Sequence, residues 1–136
     1  MVDPRAIPQP DEMTAPYWEA CSRGSYELQR CRSCRRFVHF PEPECPTCHS
    51  IDLGFEPASG LGQVETFTVV HRTVAPGFAE RPPYVIAWVA LEDQAGLRAF
   101  GNVCGCEPDD VVIGLPVKVV FEDLPGFGAI PNFAVR

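Results

Sequence analysis

Cys31-Arg32-Ser33-Cys34 and Cys45-Pro46-Thr47-Cys48 are two C-x-x-C pairs separated by ten residues. A C-x-x-C pair on a tight turn aims both sulfurs at one point. Two such turns facing each other make a tetrahedral tetrathiolate cage, which suits Zn(II) with Zn–S bonds of about 2.3 Å. Cys31, Cys34, Cys45 and Cys48 are therefore expected to be metal ligands. Four sulfurs close the coordination sphere and leave no position for water or substrate, so the ion is expected to be structural and not a Lewis acid. Iron fills the same cage in a one-electron carrier, and spacing alone does not separate the two metals. The competing arrangement, two disulfides, requires an oxidising compartment.

With 136 residues, the chain makes one ordinary domain or two very small ones. Some thirty residues around a metal bury little apolar surface, and there the ion replaces the missing core, because binding it is part of the folding free energy. The formal net charge is −7, and from Ser50 onward five basic residues face eleven acidic ones. Such a balance argues against a protein that coats nucleic acid, where phosphate neutralisation dominates. Around the cysteine pairs the sign reverses. Arg23, Arg30, Arg32, Arg35 and Arg36 form a basic cluster, either a solvated rim or a seat for a phosphate group or an acidic partner. No apolar run approaches the ~20 residues that span a bilayer. Met1–Gln9 lacks the apolar core of a secretory signal. Seven cysteines, four of them assigned to a metal, fit a reducing cytoplasm.

Residues 1–13 carry Pro4, Pro8 and Pro10 among charges and are expected to be a flexible arm. Residues 14–52 read as a short helix and a zinc ribbon. The helix starts at Thr14 as N-cap with Pro16 in its first turn, and stops at Gly24. It is too short to stand alone, so Tyr17 and Trp18 must pack on the protein itself or on a partner. Tyr26–Arg30 and Arg36–Phe40 alternate as ribbon strands, and Ile51, Leu53 and Phe55 continue the period. Gly60 and Gly62 mark a turn or bulge. Residues 53–136 then read as a barrel with strands at Gln63–Val74, Tyr84–Leu91, Leu97–Val103, Val117–Glu122 and Ala129–Val135. A loop covers Ala75–Pro83, hairpin turns cover Asp93–Gly96 and Pro125–Gly128, and one helical turn covers Glu107–Ile113. Five strands with a helical turn between the third and fourth is the layout of an OB-fold. The expected class is mainly β: short N-terminal helix, zinc ribbon, five-stranded OB-fold barrel.

The sequence lacks a G-x-G-x-x-G or phosphate-loop motif and a serine nucleophile elbow. His39, His49 and His71 are scattered, with the first two flanking the ribbon. Cys21, Cys104 and Cys106 fit small buried hydrophobes, and Asp109-Asp110 a solvated helix end. No catalytic residue is nominated.

These residues resemble a known family in order and spacing: Tyr17-Trp18-Glu19; Leu28-Gln29-Arg30-Cys31-x-x-Cys34; Phe40-Pro41; Cys45-Pro46-x-Cys48. Further on come Val69-Val70-His71-Arg72, Pro82-Pro83-Tyr84-Val85, and the segment from Gly105-Cys106-Glu107-Pro108-Asp109 to Ile113-Gly114-Leu115-Pro116-Val117. The chain looks like the bacterial and archaeal proteins that join a rubredoxin-like zinc ribbon to an OB-fold, over about Ala15 to Asp123. The resemblance implies a non-catalytic accessory subunit of acyl-CoA metabolism. Such a subunit binds a thiolase-superfamily partner, a thiolase or thiolase-like retro-aldolase, in a heterotetramer or larger complex. It shares coenzyme A or acyl-CoA with that partner. On this expectation Arg30, Arg32, Arg35 and Arg36 hold CoA phosphates, Phe37 and Phe40 cover its adenine or arm, and Tyr17, Trp18, Phe78 and Arg81 meet the partner. A nucleic-acid-binding module and a rubredoxin-like electron carrier are the alternatives.

Overall fold

The computed structural model describes residues 5–136. Helix α1 (Ala15–Ser22) begins one residue after Thr14, with Pro16 in its first turn. The Thr14 hydroxyl makes no cap bond to the helix. The Asp11 carboxylate instead accepts from the N–H groups of Met13 (2.9 Å) and Thr14 (2.8 Å), closing the turn that leads into the helix. Gly24, in the left-handed region at φ +75°, ends it. The buried face is Tyr17, Ala20 and Cys21, which lies against both the ribbon and the barrel. Burial pushes the Cys21 thiol up to about 12, as befits an apolar filler.

The ribbon is a three-stranded antiparallel sheet of β1 (Glu27–Cys31), β2 (Phe37–Val38) and β3 (Leu53–Pro57), in the order β2-β1-β3. Pairing of β1 with β3 runs over five positions, from Glu27↔Pro57 to Cys31↔Leu53. Strand β3, which follows the expected boundary between residues 52 and 53, thus completes the ribbon sheet.

Strands β4 (Leu61–Val70), β5 (Tyr84–Leu91), β6 (Arg98–Cys104), β7 (Pro116–Leu124) and β8 (Gly128–Val135) close a barrel in the order β4-β5-β6-β8-β7. The parallel contact of β6 with β8 and the antiparallel contact of β4 with β7 seal it. Val64, Val89, Val117 and Phe133 fill the interior with no more than a trace of exposure. Side chains of this size stabilise by about 1.5–3 kcal/mol each when fully buried.

Strand β4 stops at Val70, where its pairing with Tyr84 ends, so the loop spans 71–83 and Val74 stands fully exposed. The helical turn expected over Glu107–Ile113 shrinks to a 3-10 turn, Pro108–Asp110, because Val111 is extended and buried. The bulge lies between Val64 and Thr66, not at the glycines. Gly60 has a different task. At φ +74° a Cβ there would stand 2.4 Å from Val119 Cγ1, so only glycine lets the ribbon-to-barrel connection pass β7 this closely.

Arg5 is 8% exposed and donates to Glu122 Oε2 at 2.5 Å, on β7. Residues 1–4 of the expected arm lie outside the described residues.

Candidate metal centre and the adjoining cleft

Each knuckle is built the same way. In the first, the Arg35 N–H bonds Cys31 O at 3.0 Å and the Cys31 N–H bonds Arg36 O at 2.9 Å; in the second, His49 bonds Cys45 O at 2.8 Å and Cys45 bonds Ser50 O at 2.9 Å. Arg35 (φ +68°) and His49 (φ +65°) occupy the equivalent left-handed position, one residue past each pair. That conformation costs an L-residue about 1–2 kcal/mol. It bends each loop so that both sulfurs face one point.

The four Sγ atoms lie within 4.8 Å of one another. Cys31 to Cys48 and Cys34 to Cys45 are each 3.6 Å. A tetrahedron with metal–sulfur bonds of about 2.3 Å has edges of about 3.8 Å, so the cage fits Zn(II). Backbone N–H groups of Cys34 and Thr47 point at Cys31 Sγ (3.5 Å) and Cys45 Sγ (3.4 Å). The Cys34 N–H chiefly holds the Cys31 thiol down at about 6, and the Cys48 N–H lowers Cys45. Both favour thiolate, the ligand form. Around the cage the ribbon's own core is small: Cys31, Val38 and Cys45, backed by Cys34 and Leu53. His39 and His49, which flank the ribbon, are not part of the four-sulfur cluster. His49 pairs with Glu44, and His39 turns toward Tyr17, ring to ring at 5.3 Å.

Most of the basic cluster is paired with carboxylates, Arg23 with Glu27 among them. Arg35 makes a bidentate pair with Glu56 (2.7 and 2.8 Å). Arg30 lies over the Phe37 ring at 4.3 Å, donates to Arg35 O and reaches Glu56 at 3.7 Å. Arg32 pairs with Asp52 at 3.0 Å and donates to Leu53 O. Phe37 is buried beneath Arg30. Of the residues nominated for CoA, Arg36 has no carboxylate partner among the described residues, and Phe40 is 53% exposed.

Two glutamine amides fasten the ribbon by mimicking a strand. Gln29 donates to Glu42 O (2.9 Å) and accepts from its N–H (2.8 Å), and Gln94 does the same with Phe37 (3.0 and 2.8 Å). Gln94 lies on the β5–β6 turn, so it ties the ribbon to the barrel. Sequence patterns do not show such pairs, since neither Gln29 within β1 nor Gln94 at a turn carries a periodic signal for its partner.

A cleft of about 560 Å³ opens where α1, the ribbon tip and the barrel meet. Its wall includes Ile7, Trp18, His39, Phe40, Phe100 and Ile130. Aromatic rings continue outward from it, Phe40 to Trp88 at 6.4 Å and Trp88 to Phe100 at 5.2 Å, with Arg98 over Trp88. Burial lowers the His39 imidazole to about 4, so it is neutral. Its Nδ1 is buried with no partner among the described residues. Leaving a buried polar atom unmatched costs about 1–3 kcal/mol. Of the residues nominated for partner contact, Tyr17 is a core residue, edge-on to Tyr26. Trp18 is half-buried against Phe127. Phe78 and Arg81 stack on the 71–83 loop, away from the cleft wall.

The pattern of the ChsH2 rubredoxin-like zinc ribbon domain matches residues 18–53, and that of the ChsH2 C-terminal OB-fold domain matches residues 55–122. The chain belongs to this family. A "DUF35 domain-containing scaffold protein" of Methanocaldococcus jannaschii is 45% identical over 96 residues, covering 68% of this chain and 64% of that protein. A "Probable enoyl-CoA hydratase alpha subunit" of Thermomonospora curvata is 39% identical over 101 residues, covering 74% of this chain and 30% of that protein. This ChsH2-type chain thus spans less than two thirds of either relative. Among solved structures, a chain of the "Ltp2-ChsH2(DUF35) aldolase" superposes with a TM-score of 0.85 at 33% identity, over 95% of this chain and 98% of that one.

Proposed function

We propose that this chain is a non-catalytic accessory subunit. It docks a thiolase-superfamily protein, a thiolase or thiolase-like retro-aldolase, and helps line that protein's acyl-CoA site. The observation that carries the reading is the end-to-end match to a chain of an aldolase complex. The site chemistry agrees with it. A four-sulfur cage offers no open position to a substrate. Among the described residues the histidines lie apart, and His39 is neutral in an apolar wall. The metal stiffens the ribbon, and the ribbon in turn holds its tip against the barrel. In this role Trp18, Phe78 and Arg81 meet the partner, while Arg36 and Phe40 face the CoA moiety.

Co-expression with a thiolase-superfamily protein, followed by gel filtration with light scattering, tests the docking. The expected result is a stoichiometric heteromer. Elution of the two proteins at their separate masses would overturn the reading.

One observation favours a second reading, a nucleic-acid module. Trp88 and Phe100 sit on the second and third barrel strands, the face on which OB-folds stack bases. Arg98, however, is already paired with Glu65 at 2.6 Å, and the net charge is −7. Retention on heparin at low salt would revive this reading.

A further inference from the structure

Arg5 precedes every helix and strand of the fold, yet it is buried and its guanidinium donates to Glu122 Oε2. Arginine is seldom buried unless it is paired. Glu122 is held in place to receive it. Its other oxygen accepts from Asn132 Nδ2 at 3.0 Å, and Asn132 Oδ1 accepts from the Asn102 N–H at 3.0 Å. The Asn102 side-chain amide then donates to Val85 O at 3.0 Å. A polar chain thus crosses β7, β8, β6 and β5 and ends beside Tyr84, at the base of the 71–83 loop.

Arg5 also touches that loop directly. Gly77, at φ +82°, lies so close that a Cβ there would stand 2.5 Å from Arg5 Cγ and 2.7 Å from the Arg5 backbone nitrogen. Within the loop, the N–H groups of Phe78 and Arg81 bond Ala75 O and Phe78 O, and Arg81 Nε bonds Gly77 O, which knits residues 75–81 into one unit. Phe78 anchors the unit on Tyr84, ring to ring at 5.5 Å, and Gly77 anchors it on Arg5. The segment around Arg5 is otherwise lightly held. Ile7 is exposed, and neither hydrophobic core among the described residues includes any of residues 5–10. The Arg5–Glu122 pair can therefore open without loss from the barrel core, which is the condition for a local opening that leaves the fold intact.

We propose that residues 5–8 are a strap latched by the Arg5–Glu122 pair, and that this latch sets the conformation of the 71–83 loop. Seated on Glu122, Arg5 packs beside Gly77 and holds the loop on the barrel. Released, strap and loop come free together while β4–β8 stay intact. Arg5 and Glu122 are positioning residues, acting through the loop. The loop carries Phe78 and Arg81, assigned above to the partner, so the latch presents them in one arrangement. Only that last step rests on the accessory-subunit reading.

The test follows backbone amide exchange by NMR on the full zinc-loaded chain. The Phe78 and Arg81 amides, both hydrogen-bonded within the loop, report its opening. R5A and E122Q should each speed their exchange about tenfold, the loss of one charge-assisted contact. The double variant should be no faster than either single one, because both remove the same latch. R98A, which breaks the exposed Arg98–Glu65 pair on the same barrel, should leave the loop at its wild-type rate. Loop exchange unchanged in both R5A and E122Q, additive acceleration in the double variant, or acceleration spread evenly over β4–β8 would overturn the latch. Affinity for a thiolase-superfamily protein is scored separately, and R5A is expected to weaken it about tenfold. A faster loop with unchanged affinity would keep the latch and remove the loop from docking. A wild-type chain that forms no heteromer would sink the docking reading alone.

Discussion

At the scale of single residues, His39 carries the clearest pH signature. Its folded pKa of about 4 lies below the ordinary value of 6.5, so between these limits the unfolded chain binds the extra proton. The neutral-imidazole fold is thus fully stable above pH 6.5 and loses stability as pH falls toward 4, by about 2 kcal/mol at pH 5. Denaturant titrations of the wild type and H39F from pH 7 to pH 5 should show a shallower decline in the variant. Parallel profiles would count against the burial argument. Acid loss of metal affects both proteins and cancels in the comparison. The ligand set at this scale was legible in the sequence, because C-x-x-C spacing is a local constraint. The fate of the arginines was not. Their neutralising groups, Asp52 and Glu56, lie about twenty residues downstream on and beside β3, and only the folded sheet brings them alongside.

At the scale of elements, β5 was read to the residue, because Tyr84–Leu91 is an uninterrupted apolar run rich in β-branched and aromatic residues. Alternate members Val85, Ala87, Val89 and Leu91 face the core. Strand β2 was read too long, since only Phe37 and Val38 find β1 as a partner and Gln94 takes over the other edge. That clamp should be measurable. Gln94→Ala removes both amide bonds to Phe37 and is expected to cost about 1–2 kcal/mol in denaturant unfolding, the lower range for a part-buried pair. An unchanged midpoint would mean that water replaces the clamp without loss. The ribbon has its own test. Its small sulfur-lined core makes the ion part of its fold, whereas the barrel packs around Phe133 without it. Stripping the metal with a strong chelator should raise amide hydrogen exchange across residues 31–56 and leave β4–β8 protected. Uniform deprotection of the whole chain would contradict this division.

At the scale of the whole molecule, the order of ribbon and barrel followed from motif spacing and strand count. Their seam did not, because it is assembled from distant segments: residues 6–8, α1, the ribbon tip and strands β6, β7 and β8. Ile7, Phe40 and Phe100 belong to no shared periodicity, so nothing local marks them as neighbours. The proposed division of labour belongs to this scale too: a metal-stiffened platform here and bond-making on another polypeptide. The most direct measurement is acyl-CoA turnover by this chain alone, by the thiolase-superfamily protein proposed as its partner alone, and by the two mixed at equal stoichiometry. Turnover is expected in the mixture, with none from this chain and little from the isolated partner. Turnover by this chain alone, or a partner equally active without it, would contradict the account.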